Sequence, residues 1–267
     1  QDRAHRAAGG GCWRAILDHT SWCRFCSALG SGGRGANTME DRWLVRLIRA
    51  VFDFLFWLLT RRSFHGLENI PARGPFLLVV NHLSYVDPPL IFIGLRRPGM
   101  VALVADAYRT NPLFRWLVES VGGVWISRGS GDRGAVKAAL AVLKDGKILG
   151  MAPEGTRSKV THALMQGKSG AAFIGSKAGV PILPIGLTGT ESVLRDLKRL
   201  RRPAITFTAG PVFTLPPLDG QENKSKALDE YTREIMCRIA ALLPEQYQGV
   251  YKGAPRLEEI KAEQRRA

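Results

Sequence analysis

Short apolar runs alternate with longer segments of helical periodicity through the central part of the chain. The apolar runs have the length and composition of buried strands and lie at 76–80, 100–105, 124–126, 148–151, 181–187 and 204–210. The periodic segments predict helices after Asp87, which would cap the first of them, and at 111–121, 132–145, 169–178 and 223–243. Strands that alternate with helices indicate a single α/β domain with a largely parallel central sheet flanked by helices.

The most apolar segment of the chain is 43–59, WLVRLIRAVFDFLFWLL. A membrane-spanning helix needs about 20 predominantly apolar residues. This run is shorter, and it contains Arg46, Arg49 and Asp53. On a helix these charged side chains share one narrow stripe, and apolar side chains cover most of the remaining surface. The pattern predicts an N-terminal amphipathic helix over 39–62 that lies in the membrane interface; a soluble helix docked on the core is the alternative.

Composition divides the chain into four parts. Residues 1–38 are rich in Gly and Arg, lack helical periodicity and precede the first methionine, Met39. We expect this segment to be a disordered or non-native leader, with a transit peptide as the alternative. The interfacial helix over 39–62 is followed by a core over 63–217 and by a C-terminal helix and tail over 218–267.

The balance of charge is strongly basic, with 38 Lys and Arg against 23 Asp and Glu and a net charge of +15. Such a surface attracts polyanions: nucleic acid, anionic lipid or a phosphorylated substrate. The sequence has no recognisable helix-turn-helix signature or aromatic-basic RNA motif, so we expect no nucleic acid among the partners. The segment 195–203, RDLKRLRRP, predicts a basic rim towards an anionic membrane surface, with a solvated loop as the alternative.

His82 and Asp87 stand five positions apart in VVNHLSYVDPP, directly after a predicted buried strand. A histidine takes a proton from a hydroxyl more readily when a carboxylate fixes its tautomer and stabilises the imidazolium. Both residues lie on a strand-to-helix connection, where functional side chains collect. We interpret them as a general base and its partner; the alternative is that His82 ends the strand and Asp87 caps the helix.

A second group of candidate residues follows a later strand, in PEGTRS. Arg157 can bind a phosphate bidentately, and the hydroxyl of Thr156 adds a donor. Gly155 lets the backbone approach a ligand, and Glu154 can accept a hydrogen bond from a substrate hydroxyl or orient Arg157. Because this loop also follows a strand, it should lie at the same sheet edge as His82. A tight turn with an Arg–Glu pair is the alternative.

Two further basic residues occupy similar places. Arg128 stands in a Gly-rich loop after the strand at 124–126, where it would clamp one phosphate together with Arg157. Lys168 precedes a predicted helix N-terminus, where anions are favoured. Each loop alone is also explained as a solvated turn, but several such loops in one α/β unit predict a shared site.

Four segments together resemble the ordered blocks of the glycerolipid acyltransferase family, which includes the 1-acyl-sn-glycerol-3-phosphate (lysophosphatidic acid) acyltransferases. The segments are NHLSYVD, GGVWISR, PEGTRS and GVPILPIGL, and their order and spacing match over about residues 62–215. The combination of H-x-x-x-x-D with E-G-T-R is far more specific than either half. Trp125 departs from the Phe often found in the second block, and Lys168 is shifted relative to the family's pattern.

The resemblance implies roles for individual residues. His82 matches the family's catalytic base, and Asp87 matches its carboxylate partner. Pro181 matches the fourth block, which shapes the acyl pocket. The residues that would bind the glycerol-phosphate part of the acceptor are Arg128, Glu154, Gly155 and Arg157.

The implied reaction moves an acyl chain from acyl-CoA or acyl carrier protein to the free hydroxyl of 1-acyl-sn-glycerol 3-phosphate (lysophosphatidic acid). The product is phosphatidic acid, an intermediate of phospholipid biosynthesis. The acyl thioester is a substrate, and we expect no metal and no other cofactor. The protein is expected at the cytoplasmic face of a membrane, peripheral or monotopic. Alternatives are another lysophospholipid or glycerol 3-phosphate as acceptor, or a non-catalytic protein that binds anionic lipid.

Overall fold

The computed structural model of the chain describes residues 39–106, 109–120, 123–126 and 133–266. The expected leader over 1–38 and the candidate residue Arg128 therefore lie outside the described residues. From Arg42 onward the chain forms one compact unit.

Helices and strands alternate through the described ranges. The helices are α1 (Met39–Leu59), α2 (Asp87–Leu95), α3 (Pro112–Ser120), α4 (Arg133–Lys144), α5 (Gly170–Ala178), α6 (Val193–Lys198), α7 (Lys224–Ala240) and α8 (Pro255–Arg266). The strands are β1 (Arg61–His65), β2 (Phe76–Val80), β3 (Met100–Ala105), β4 (Val124–Ile126), β5 (Ile148–Met151), β6 (Ile182–Thr188) and β7 (Ala204–Ala209). Short 3-10 turns lie at Leu67–Asn69, Thr190–Ser192, Glu245–Tyr247 and Gly249–Tyr251.

The strands form one sheet in the order β1-β7-β6-β2-β5-β3-β4. Each neighbouring pair from β6 to β4 is parallel. β7 runs antiparallel to β6 and parallel to β1, so the two strands at one edge reverse the direction. The predicted fold class, an α/β domain with a largely parallel sheet flanked by helices, is confirmed. The reversed direction of β7 was not predicted, because an apolar run carries no information about strand direction.

Helices cover both faces of the sheet, which is why every residue of β2 is buried. Leu77 and Val79 point into a core that includes residues of α4, α5, α7 and α8. Phe76, Leu78 and Val80 point into a second core, on the opposite face, that includes residues of α1 and α2. The alternation of side chains along a strand thus divides the interior into two layers.

The helix α1 has two apolar faces. One packs on the protein: Phe56 is buried, and Phe52 contacts the same core as α2. The other face is exposed and carries Trp43, Leu47, Val51, Phe54, Leu55, Trp57 and Leu58. Of the helices in the described ranges, none combines the length and the apolar character that crossing a bilayer requires.

Three elements were not predicted: β1, α8 and the short helix α6, which overlaps the basic segment 195–203. The strand β1 is an edge strand of mostly polar sequence, RRSFH, whose residues alternate between exposed and partly buried, and it pairs with 204–208. The helix α8 lies in the segment that was expected to be a tail, where Leu257 and Ile260 are buried. Arg256 joins it to α7 through contacts of 2.6 and 3.0 Å with the carboxylate of Glu234.

Candidate active site

Three neighbouring parallel strands bring the candidate residues to one edge of the sheet. The order β6-β2-β5 places the ends of these strands side by side. His82 follows β2, Glu154 follows β5, and Thr190 follows β6. Functional groups collect at the carboxyl ends of parallel strands in open α/β sheets, and this edge is therefore the candidate site.

Asn81 ends the strand β2 in a way that fixes the position of the next residue. Its buried side chain donates to the carbonyl of Leu187 at 2.9 Å and accepts from the amide of Leu187 at 2.8 Å. A side-chain amide thereby continues the pairing with β6 after the backbone has turned away. His82 consequently leaves the sheet from a fixed point.

The imidazole of His82 is paired with the carboxylate of Asp87. The distance from Nδ1 of His82 to Oδ2 of Asp87 is 2.7 Å. Asp87 is 1% exposed, whereas the side chain of His82 is 23% exposed. With Nδ1–H donated to the carboxylate, Nε2 is the ring nitrogen that carries the basic lone pair. The structure thus places the two side chains in contact, as the pairing requires.

The sequence analysis predicted that Asp87 caps α2, and this prediction was wrong. Asp87 is the first residue of the helix, and Val86 occupies the N-cap position. Its Oδ2 accepts from the backbone amides of Leu83 and Ser84 at 2.7 and 2.8 Å, which lie before the helix and not within it. The carboxylate therefore organises the loop that carries His82. The proline pair after Asp87 fixes the first helical turn and leaves the carboxylate free for this role.

Thr190 completes the support of Asp87 and was not among the sequence-based candidates. Its Oγ1 donates to Oδ1 of Asp87 at 2.5 Å, and Thr190 is 1% exposed. The two residues are 103 positions apart, so no local motif links them. The only signal in the sequence was a hydroxyl residue shortly after a predicted strand of the same sheet.

Glu154 is buried and ties two loops together. Oε1 accepts from the backbone amide of His82 at 3.2 Å, and Oε2 accepts from the amide of Met165 at 2.9 Å. Burial raises the pKa of the Glu154 carboxyl above its ordinary value, and these two amides act against that shift. Both oxygens thus bind the backbone, whereas the sequence analysis gave Glu154 a contact with the acceptor or with Arg157.

Arg157 lies beside the loop of His82. Its guanidinium carbon is 3.6 Å from the centre of the Tyr85 ring, a cation–π contact with a side chain three positions after His82. The next residue, Ser158, donates its amide to the carbonyl of His82 at 2.9 Å. Arg157 is half-buried, so the guanidinium is held in place but remains reachable.

Gly155 and Lys168 are in contact. Gly155 has φ +71°, a conformation that favours glycine, and a Cβ there would lie 3.2 Å from both Cδ and Nζ of Lys168. The backbone amide of Lys168 donates to the carbonyl of Pro153 at 2.9 Å, which draws both loops together. Lys168 and Thr156 are exposed. The structure thus brings Glu154, Gly155, Arg157 and Lys168 to the loop of His82.

A cavity of about 210 Å³ adjoins His82 and Asp87. It lies on the sheet face that α1 and α2 cover. Its wall is predominantly apolar and is formed by Leu78, Val80, Pro88, Ile91, Met100, Ala102, Leu103, Gly150, Met151 and Ala152, with Gly155. Such a wall suits a hydrocarbon chain and does not suit a charged group. Among the described residues, no group of three or more His, Cys, Asp or Glu is placed to hold a metal ion.

The chain is similar to known acyltransferases. A family model described as Acyltransferase matches residues 61–188. The 1-acyl-sn-glycerol-3-phosphate acyltransferase of Borreliella burgdorferi is 30% identical over 150 residues, which are 55% of this chain and 59% of that protein. The lyso-ornithine lipid O-acyltransferase of Pseudomonas aeruginosa is 35% identical over 146 residues, 49% of this chain and 55% of that protein. The chain thus spans less than two thirds of the length of these curated relatives.

A solved structure shares the fold. The crystal structure of the 1-acyl-sn-glycerophosphate acyltransferase PlsC of Thermotoga maritima matches with a TM-score of 0.57 and 24% identity, over 81% of this chain and 85% of that one. The family model covers the strands whose ends carry His82, Glu154 and Thr190. Residues 61–188 thus match the acyltransferase family, and the motifs, the fold and the relatives are similar to those of glycerolipid acyltransferases.

Proposed function

We propose that this protein transfers an acyl chain from an acyl thioester to the free hydroxyl of 1-acyl-sn-glycerol 3-phosphate. One observation carries the proposal: His82 and Asp87, whose side chains are 2.7 Å apart, line an apolar cavity. The guanidinium of Arg157 lies beside the same loop, stacked on the ring of Tyr85. His82 can act as the base that activates the acceptor hydroxyl, the cavity suits an acyl chain, and Arg157 suits a phosphate. These are the three groups that such a transfer brings together.

In the proposed mechanism, Nε2 of His82 takes the proton of the acceptor hydroxyl as its oxygen attacks the thioester carbonyl. The imidazolium that forms is stabilised by the carboxylate of Asp87, which already receives Nδ1–H. Collapse of the tetrahedral intermediate breaks the carbon–sulfur bond, and the leaving thiolate takes the proton from the imidazolium. A new ester and a free thiol result, and no acyl group is attached to the enzyme.

Positioning of the acceptor rests on its phosphate. Arg157 offers a planar fork that matches two phosphate oxygens, and Lys168 adds an exposed cation beside Gly155. Arg128 is proposed as a third cation, from sequence alone. Holding the phosphate places the hydroxyl at a fixed distance from His82, which converts a bimolecular encounter into an oriented reaction. Glu154 contributes by fixing the loop of His82 through the backbone.

The acyl donor is proposed to be acyl-CoA or acyl carrier protein, and the mechanism uses no metal or other cofactor. A second acceptor class is favoured by the relative named lyso-ornithine lipid O-acyltransferase, which is 35% identical over 146 residues. An ornithine headgroup has a carboxylate and an ammonium group but no phosphate, so it is zwitterionic and calls for less positive charge in its binding site than a phosphate does. The presence of Arg157 and Lys168 beside His82 favours the phosphorylated acceptor.

The test is an assay of the whole chain with radiolabelled acyl-CoA or acyl carrier protein against a panel of acceptors. The panel contains 1-acyl-sn-glycerol 3-phosphate, glycerol 3-phosphate, other lysophospholipids and lyso-ornithine lipid. We expect the highest kcat/KM with 1-acyl-sn-glycerol 3-phosphate, and His82→Ala should lower kcat by about 10²–10⁴-fold because the general base is lost.

The matched control is His65→Ala, which removes an exposed histidine at the end of β1 and should leave turnover unchanged. Near-normal turnover by folded His82→Ala would eliminate the mechanism. A preference for lyso-ornithine lipid would keep the mechanism and replace the acceptor.

A further inference from the structure

A second cavity, which is lined by cations, lies away from His82, between α1 and the end of α2. It has a volume of about 340 Å³ and is lined by Arg46, Arg49, Ala50, Asp53, Ile93 and Arg96. Three of these six residues are arginines. We call this cavity the arginine cleft. The proposed acyl transfer makes no use of it.

Arg49 is held in the cleft with part of its hydrogen-bonding capacity unused. Its Nη2 donates to the carbonyl of Arg97 at 3.1 Å, and its guanidinium carbon is 4.7 Å from the ring centre of Phe92. Its Nε is buried and has no hydrogen-bond partner among the described residues. A buried N–H without a partner is costly, and a ligand that accepts from it removes the cost.

The charges that face the cleft repel one another in the absence of an anion. Burial and the neighbouring charge of Arg96 lower the pKa of Arg49. Among the described residues, the acid side chain that lines the cleft is Asp53, and it forms an ion pair with Arg62. Within those residues no carboxylate pairs with Arg46 or Arg96. The lining therefore has an excess of positive charge that a bound anion would neutralise.

Arg96 occupies a position where glycine is usual. It is the C-cap of α2 and has φ 49° and ψ 19°, in the left-handed region. A residue with a side chain is strained there relative to the right-handed conformation, and glycine relieves that strain. The side chain of Arg96 lines the cleft, and a role in binding an anion there would explain why this strained position carries an arginine.

The cleft borders the exposed apolar face of α1. Arg46 follows Trp43 by one helical turn, and Ala50, which lines the cleft, is followed one turn later by Phe54. Charged groups at the flank of an apolar helix face lie at the depth of lipid phosphates when that face is in the bilayer. The anion that fits this place is thus a phosphate at the level of the headgroups.

We propose that the arginine cleft binds the headgroup phosphate of one anionic phospholipid of the membrane, through Arg46, Arg49 and Arg96. The site is separate from the acceptor site at His82 and does not depend on acyl transfer. Its ligand is a structural lipid that holds α1 and α2 at a defined height on the membrane, not a substrate.

The experiment measures binding of the whole chain to phosphatidylcholine vesicles, with and without phosphatidylglycerol, by flotation. The variant pair Arg46→Gln/Arg96→Gln removes two charges from the cleft, and the control pair Arg199→Gln/Arg201→Gln removes two from the exposed basic segment. We expect the cleft pair to weaken binding to the anionic vesicles by about tenfold more than the control pair, as for a lost hydrogen bond to a charged group.

A charge-preserving variant distinguishes a specific phosphate site in the arginine cleft from a general electrostatic attraction to anionic vesicles. Arg49→Lys keeps the charge but removes Nε and the planar fork, so it should also weaken binding to anionic vesicles while binding to neutral vesicles stays unchanged. Equal losses from the two pairs, with no loss from Arg49→Lys, would overturn the proposal and leave diffuse electrostatics. Inorganic phosphate can also be added as a competitor. If it displaces the wild-type protein from the vesicles at a concentration equal to that of the lipid headgroups, the cleft binds free phosphate instead.

A parallel acyl-transfer assay in detergent, without vesicles, distinguishes this proposal from the proposed function. Arg46→Gln/Arg96→Gln should keep wild-type turnover there, because neither residue belongs to the site at His82. Loss of turnover in that assay, with the fold intact, would contradict the separation of the two sites.

Discussion

Four donors surround the carboxylate of Asp87. Oδ2 receives the ring of His82 and the amides of Leu83 and Ser84, and Oδ1 receives the hydroxyl of Thr190. A buried carboxylate with this many hydrogen-bond partners is held in one orientation. The residue that the sequence analysis treated as one half of a pair is therefore the centre of a small network. Its rigidity is transmitted to the imidazole through one hydrogen bond.

We predict that Thr190→Val lowers kcat by about tenfold, the value expected when one hydrogen bond to a charged group is lost. KM for the phosphorylated acceptor should not change, because Thr190 does not face the phosphate site. Thr190→Ser restores the hydroxyl and should recover most of the loss. Steady-state kinetics of both variants, with melting temperatures, test this. A rise in KM without a fall in kcat would contradict the positioning role.

Individual residues differ in how far the sequence could identify them. His82, Asp87 and Arg157 stand in compact motifs whose chemistry is visible without a structure. Thr190 and Asn81 act through partners 103 and 106 positions away, and only the order of the strands brings these partners together. Glu154 was identified, but its backbone contacts depend on loop conformations that no residue pattern encodes.

The apolar cavity is a product of how β2, β5 and α2 pack. Gly150 lines it from β5, and a Cβ at that position would be 3.6 Å from Cε of Met100 and 4.0 Å from Cδ2 of Leu78. These are ordinary contacts, so a small side chain is accommodated without strain. A large one must extend into the cavity itself.

We predict that Gly150→Leu shortens the acyl chain that the protein accepts, whereas Gly150→Ala changes the preference little. A leucine side chain occupies the space of several methylene groups, and each buried methylene contributes about 0.8 kcal/mol to binding of the chain. The measurement is kcat/KM for a series of acyl-CoA lengths. An unchanged length profile for Gly150→Leu would show that the acyl chain lies elsewhere.

Most helices and strands followed from the pattern of apolar residues. β2, β3, β4 and β5 have the predicted bounds, because a buried strand needs a continuous apolar run that polar or small residues end. β1 was missed because an edge strand exposes half of its side chains and its apolar pattern is weak. α8 was missed because only Leu257 and Ile260 of its 12 residues are buried.

The molecule as a whole presents an apolar face and a basic segment together. Arg202 donates to the carbonyls of Trp57 and Thr60 at 2.6 and 2.9 Å and so joins the segment after α6 to the end of α1. Leu200, which is 97% exposed, lies between Arg199 and Arg201 in that segment. Apolar side chains next to cations are typical of surfaces that bind anionic bilayers.

We predict that Leu47→Glu/Phe54→Glu releases the protein from phosphatidylglycerol-containing vesicles without unfolding it. Both side chains are exposed on α1, and inserting a leucine or a phenylalanine into lipid contributes about 1.5–3 kcal/mol each. Ile48→Ala, on the packed side of the same helix, should lower the melting temperature and keep vesicle binding. Deletion of the whole helix is a poorer test, since it would also remove Phe56 and uncover the core residues on which Phe56 packs. Unchanged flotation of the double variant would refute the interfacial placement.

Glu154 gives the site a shared support. The same carboxylate holds the amide of His82 at 3.2 Å and the amide of Met165 at 2.9 Å, and Met165 lies on the connection between Arg157 and Lys168. If an anionic headgroup displaced that connection, Glu154 would transmit the movement to the backbone of His82 through a single hydrogen bond. Under the proposed mechanism, a phosphate bound by Arg157 and Lys168 would therefore also act on the loop that aims the imidazole of His82.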